Sequence, residues 1–163
     1  KVDDPGPIFF TQKRVGRRKN GQLTYFSLYK FRSMKMCTPH DTPTHLLSDP
    51  EQYITKIGRV LRKTSLDEVP QIWCILRGNM SIIGPRPALW NQEDLIAERE
   101  KYGANDVKPG LTGWAQVNGY RGDTSIRKRI EYDLYYIENW SIGLDIKIIF
   151  LTFFKGFINK NAY

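Results

Sequence analysis

Pro85 and Pro87 flank Arg86 near the middle of the chain, in the run Gly78-Asn79-Met80-Ser81-Ile82-Ile83-Gly84-Pro85-Arg86-Pro87. Each proline fixes its own φ, removes a backbone N–H and pushes the residue before it toward extended backbone. Neither a continuous helix nor a central strand can pass through this strap, so Arg86 is held on a stiff, extended segment. A guanidinium carried on so stiff a segment suits bidentate recognition of a phosphate. A surface arginine in a Pro-rich turn has the same sequence.

The stretch Thr64-Ser65-Leu66-Asp67-Glu68-Val69-Pro70-Gln71 sets two adjacent carboxylates between two helical patterns. Upstream, Ile54, Ile57, Val60 and Leu61 recur at helical spacing, and downstream Ile72, Ile75 and Leu76 do so up to Gly78. Asp67 and Glu68 therefore stand at a helix entrance, where free N–H groups and the helix dipole favour anions, with Arg62 and Lys63 nearby. A carboxylate beside phosphate-binding cations can serve as metal ligand, general base or nucleophile toward phosphorus. The spacing Ser65 to Glu68 also fits a capping box, which needs no catalysis. Pro70 would cost a helix starting at Ser65 one hydrogen bond, so the helix can instead begin nearer Pro70, with the acidic pair on the preceding turn.

Ile8 to Val15 and Leu23 to Phe31 are rich in aromatic and β-branched residues and enclose an Asn-Gly signal, which predicts a β-hairpin whose turn, 16–21, carries Arg17, Arg18 and Lys19. Those three cations suit a solvated loop or lipid headgroups. Lys30 and Arg32 flank Phe31 at the strand end, facing a phosphate or water. The segment from Cys37 to Pro50 is expected to be a mobile surface loop; Cys37, His40 and His45 match no closed zinc-binding pattern. A charged surface helix is expected from Gln92 to Tyr102, ended by Gly103. From Lys108 to Gly119 a short strand is expected, which would project Gln116 and Asn118 from one face. Asp123 or Thr124 is positioned to cap a helix through Asn139. The final segment, Ile142 to Ile158, has an apolar arc broken by Asp145, Lys147, Thr152 and Lys155, wide enough either for a core or for a membrane interface. The sum is an α+β domain, mostly helical, with a short β-hairpin or sheet and amphipathic interface helices, and 163 residues suit one domain, 1–163.

The formal net charge of +8 calls for an anionic partner: nucleic acid, a nucleotide-linked substrate or an acidic membrane. The basic residues are scattered and form no nucleic-acid recognition signature, so nucleic acid is the lesser expectation. A non-catalytic membrane-surface scaffold is a further alternative, one that leaves the acidic pair no purpose beyond capping. Two cysteines without CxxC spacing imply a reducing compartment and no disulfide framework.

Five blocks, Pro5 to Phe10, Tyr29 to Met34, Ser65 to Gln71, Gly78 to Pro87 and Lys108 to Gly119, resemble in order the successive motifs of the bacterial sugar transferases, the monotopic polyprenyl-phosphate phosphoglycosyl transferases. The resemblance covers essentially the whole chain. It implies a cytoplasmic catalytic domain at the bacterial inner membrane, preceded in the family by a re-entrant membrane helix that this chain does not include. The implied reaction moves a sugar-1-phosphate from a UDP-sugar to undecaprenyl phosphate and releases UMP. The ending looks most like the glucose-1-phosphate branch that initiates exopolysaccharide or colanic-acid-type repeats; galactose-1-phosphate or an N-acetylated sugar phosphate is the alternative. By carry-over, Asp67 is the nucleophile and Mg²⁺ ligand, and Glu68 assists attack by the lipid phosphate. Lys30, Arg32, Arg62, Arg86, Gln116 and Asn118 are then the expected substrate or phosphate contacts. Membrane lipid is an implied partner, and homo-oligomerisation is left open.

Overall fold

The computed structural model describes residues 3–40, 42, 47–120 and 124–158, with the backbone alone over 155–158. β1 (Phe9–Lys19) and β2 (Gln22–Phe31) form an antiparallel hairpin. Asn20 and Gly21 close it with φ of 50° and 77°, both positive as a two-residue type I′ turn requires. The turn is thus shorter than expected over 16–21, and Arg17, Arg18 and Lys19 belong to the strand. Pairing slips by one residue between Val15 and Arg18, a bulge. Arg18 is committed to Glu100 and Asp106, which corrects its assignment to a solvated or lipid-facing turn.

Beyond the hairpin, α1 (Lys56–Lys63) opens at Thr55, whose Oγ1 accepts from the Gly58 N–H at 2.9 Å. A Cβ on Gly58 would lie 1.9 Å from the Ser33 carbonyl oxygen, so only glycine lets α1 sit directly on the chain leaving β2. A 3-10 turn over Leu66–Gln71 leads into α2 (Ile72–Leu76), and Gly78, at φ 77°, takes the chain out of it. β3 (Ser81–Ile83) and β4 (Gly110–Thr112) pair in parallel, joined through the Pro85–Pro87 strap and α3 (Glu93–Lys101).

After β4 the chain turns into α4 (Trp114–Val117) instead of continuing as the expected strand through Gln116 and Asn118. Its partner β3 ends at Ile83, so pairing stops at Thr112, and the N–H groups of Val117 and Asn118 go to the carbonyls of Gly113 and Trp114. α5 (Ile126–Glu138) is capped by Ser125, whose hydroxyl accepts from the Lys128 N–H at 3.4 Å. Thr124 instead accepts from Arg129, and Asp123 lies outside the described residues. α6 (Ile142–Ile158) has the expected bounds.

Six α-helices, one antiparallel hairpin and one parallel pair make a mixed α+β fold among the described residues. Its core is in three parts. Val15, Ala88, Leu95 and Ile130 join the hairpin, strap, α3 and α5. Phe26, Leu28, Cys74 and Met80 seat α2 on the hairpin. Ile83, Val117, Tyr136 and Ile148 join β3, α4, α5 and α6. Burying each large aliphatic side chain contributes about 1.5–3 kcal/mol. α6 divides by face: Ile148 is wholly buried with Leu144 and Leu151 beside it, whereas Ile142, Ile146, Phe150, Phe153 and Phe154 are exposed. Phe157 and Lys155 fall where side chains are not described. No helix among the described residues is long and apolar enough to cross a membrane.

Candidate active site

Ser65 adopts a left-handed backbone, φ 56°, and starts the 3-10 turn that carries both carboxylates. No capping box forms. The Ser65 hydroxyl caps nothing, and the Glu68 N–H goes to the Ser65 backbone carbonyl at 3.2 Å. The Glu68 carboxylate instead accepts from Lys30 Nζ at 2.9 Å and from Arg86 Nη2 at 3.2 Å. The turn has two faces: Asp67, Glu68 and Gln71 are buried, while Leu66 and Val69 are about half exposed. Threefold spacing in a 3-10 turn stacks Glu68 and Gln71 on one side.

Three supports meet here. Lys30 comes from the end of β2, which packs on the 3-10 turn. Arg86 comes from the strap, whose two prolines are buried. Arg14, on β1, donates from Nη1 to the Pro87 carbonyl at 3.0 Å and from Nη2 to Gln12 Oε1 at 2.6 Å. Burial pushes the Lys30 ammonium down to about 8, opposed by attraction to Glu68, while Arg86 adds repulsion. Burial likewise pushes the Arg14 guanidinium down to about 9, helped by repulsion from Arg86 and opposed by Glu68. Both are charged at neutral pH. Half-buried Arg62 stands in the last turn of α1, against the 3-10 turn.

Other expected contacts are directed elsewhere. The Arg32 guanidinium binds the Asp4 carboxylate, and its Nε donates to the Pro7 carbonyl at 2.8 Å, so it staples the N-terminal segment to β2. Gln116 Nε2 donates to the Leu111 carbonyl at 3.3 Å and Asn118 Nδ2 to the Trp114 carbonyl at 2.8 Å, each holding its own loop. Arg14 and Gln71 were missed. Lys13 and Arg14 are adjacent cations in an alternating strand, so sequence alone cannot tell which one faces inward. Gln71 is 2% exposed, and its Nε2 has no hydrogen-bond partner; the signal for it was its helical spacing from Asp67 and Glu68. His40 packs at a tilt against Phe10, His45 lies outside the described residues, and among those described no three His, Cys, Asp or Glu side chains converge as a metal cluster.

Two buried carboxylates, with lysine and arginine brought to one of them from separate stiff supports, define a site able to hold phosphate groups beside an acidic side chain. The chain belongs to the bacterial sugar transferase family, whose model matches residues 1–159. It is 48% identical, over all of its length, to the UDP-glucose:undecaprenyl-phosphate glucose-1-phosphate transferase of Escherichia coli (strain K12), covering 35% of that protein. It is 43% identical to the uncharacterized sugar transferase EpsL of Bacillus subtilis (strain 168), over 94% of this chain and 72% of that one. The UDP-N-acetylgalactosamine-undecaprenyl-phosphate N-acetylgalactosaminephosphotransferase of Aeromonas hydrophila is 40% identical over 93% of this chain and 36% of its own. The chain spans about a third of the length of the glucose-1-phosphate transferases it matches.

Proposed function

We propose that this domain transfers a sugar-1-phosphate, glucose-1-phosphate foremost, from a UDP-sugar to undecaprenyl phosphate at the cytoplasmic face of a bacterial inner membrane, initiating an exopolysaccharide or capsule repeat. The observation that carries this is the buried Asp67–Glu68 pair with Lys30 and Arg86 held on Glu68; the relatives' names supply the substrate class. A carboxylate of Asp67 attacks the sugar-linked phosphorus. A new O–P bond forms, the diphosphate bridge breaks and UMP leaves with the bridging oxygen. An oxygen of the lipid phosphate then attacks the same phosphorus, and Asp67 departs as carboxylate. No proton need move in either displacement. Lys30 and Arg86 offset the charge that gathers on phosphorus, and Glu68 keeps both cations aimed before substrate arrives.

The residues also fit Mg²⁺, which takes one or two carboxylates and completes its shell with substrate phosphates and water. Asp67 would hold it, and the ion would lower the repulsion between the carboxylate and the diphosphate. An acceptor that lives in a bilayer is matched by apolar surface: Leu66 and Val69 on the 3-10 turn and Ile72, Trp73 and Leu76 on α2 are exposed, as is the outer face of α6. The test is order of release. The complete protein, incubated with UDP-glucose and Mg²⁺ without lipid acceptor, should give up to one equivalent of UMP and carry an acid-stable, base-labile sugar phosphate on the Asp67 peptide. Asp67→Asn should release none while staying folded. UMP that appears only when both substrates are present would establish direct transfer and remove the covalent step.

A further inference from the structure

Arg99 on α3 and Asp133 on α5 are 3% and 2% exposed and form a salt bridge at 2.6 Å. The second arm of the fork leaves the pair: Arg99 Nη1 donates to the Arg86 backbone carbonyl at 2.8 Å. The following carbonyl, that of Pro87, accepts from Arg14. Two arginines thus hold consecutive carbonyls of the strap that sends Arg86 to Glu68. Pro85 and Pro87 cannot donate backbone hydrogen bonds, so side chains supply much of what fixes the strap.

A buried ion pair is a poor way to gain stability, since well-packed apolar replacements are often as stable or more so. Here burial pushes the Asp133 carboxyl up, Arg99 pulling it back, and Arg99 Nε has no acceptor. Stability alone does not account for the pair, whereas its second hydrogen bond lands on the residue that faces the catalytic carboxylates. We propose that the Arg99–Asp133 pair is a positioning device that fixes where the Arg86 guanidinium reaches, and through it how the sugar-linked phosphate of the donor is held. This rests on the phosphosugar-transfer function above. Arg99 and Asp133 touch no substrate; they act through Arg86.

The experiment combines Arg99→Met with Asp133→Leu in the complete, membrane-reconstituted protein, and separately makes Arg99→Lys, which keeps a charge for Asp133 but not the fork that serves two acceptors. Each is made with Arg86 intact and as Arg86→Ala. With Arg86 intact, kcat/KM for UDP-glucose should fall at least tenfold at a nearly unchanged melting temperature; with Arg86→Ala, the same changes should cost less than twofold more. Equal losses in both backgrounds, or a folded variant with parental kcat/KM, overturn the proposal. If the double variant does not fold, Arg99→Lys decides by the same comparison. Side-chain ¹⁵N spectra of Arg86 give a readout free of the reaction: its guanidinium should rotate faster in each variant, and unchanged exchange overturns the proposal. A parent protein that releases no UMP defeats the transfer function instead, and the spectra still decide on Arg99.

Discussion

Lys30 and Glu68 hold one another in partial burial, 18% and 11% exposed at the side chain, and that makes the site sensitive to alkali. With the ammonium at about 8, the kcat/KM profile should fall above that pH as the cation proposed to hold phosphate is lost. Stability runs the other way. An unfolded lysine keeps its proton to about 10.4, so between the two values the unfolded state binds more protons and this group's contribution to stability rises with pH. Activity lost at pH 9 with an undiminished melting temperature would therefore identify titration within the site, and Lys30→Arg should move the limb upward. Glu68→Gln removes the attraction that supports the Lys30 charge, so any residual activity should titrate at lower pH. It should also lose about 1–3 kcal/mol of stability, because Lys30 and Arg86 lose the carboxylate they are hydrogen-bonded to. An alkaline limb that stays in place in both variants would show that another group titrates.

The helix α6 has one buried face and one exposed apolar face, and substitutions should separate a core role from the proposed membrane role. Ile148→Ala empties a fully buried position and should cost about 2–5 kcal/mol. Ile146, Phe150 and Phe153, at 62%, 57% and 66% exposure, should tolerate serine with little change in melting temperature while vesicle binding falls. A joint triple variant that unfolds like Ile148→Ala would place that face in the core. The same helix shows what sequence can and cannot say. Its bounds were legible from periodicity, but an arc of isoleucine and phenylalanine reads alike against protein or lipid, and only tertiary packing divides Ile148 from Ile149. The hairpin, α1, α2 and the strap were also legible, α1 from the helical spacing of Ile57, Val60 and Leu61 and the others because Asn20-Gly21, Gly78 and the prolines each impose a local geometry. The strand expected through Gln116 was not, since its length depends on a partner, β3, that stops at Ile83. In the site, the strand end and the proline strap gave Lys30 and Arg86 their positions but not their shared partner, Glu68, and nothing local showed that Arg32 meets Asp4, which is distant in sequence. Glu68 fitted a capping box on spacing alone, and the two cations it meets come from other elements.

At the scale of the whole molecule, a net charge of +8 and two apolar exposures, the α1–α2 flank with Ile57, Val60, Ile72 and Trp73 and the outer face of α6, would act on the proposed membrane surface by different physics. Charge attracts anionic headgroups at about 1 kcal/mol per basic residue near the surface and is screened within about 8–10 Å at physiological salt. Apolar insertion is indifferent to salt and scales with buried area. Binding of this domain to vesicles containing anionic lipid should therefore weaken as salt rises from 0.05 to about 0.5 M and level off above zero. Neutral phosphatidylcholine vesicles should give a weaker binding that salt leaves unchanged. Serine at Ile146, Phe150 and Phe153 should remove most of that plateau while leaving the salt-dependent part. Binding that vanishes at high salt would mean that charge alone brings the domain to the surface, and that the exposed apolar faces are covered by protein rather than lipid.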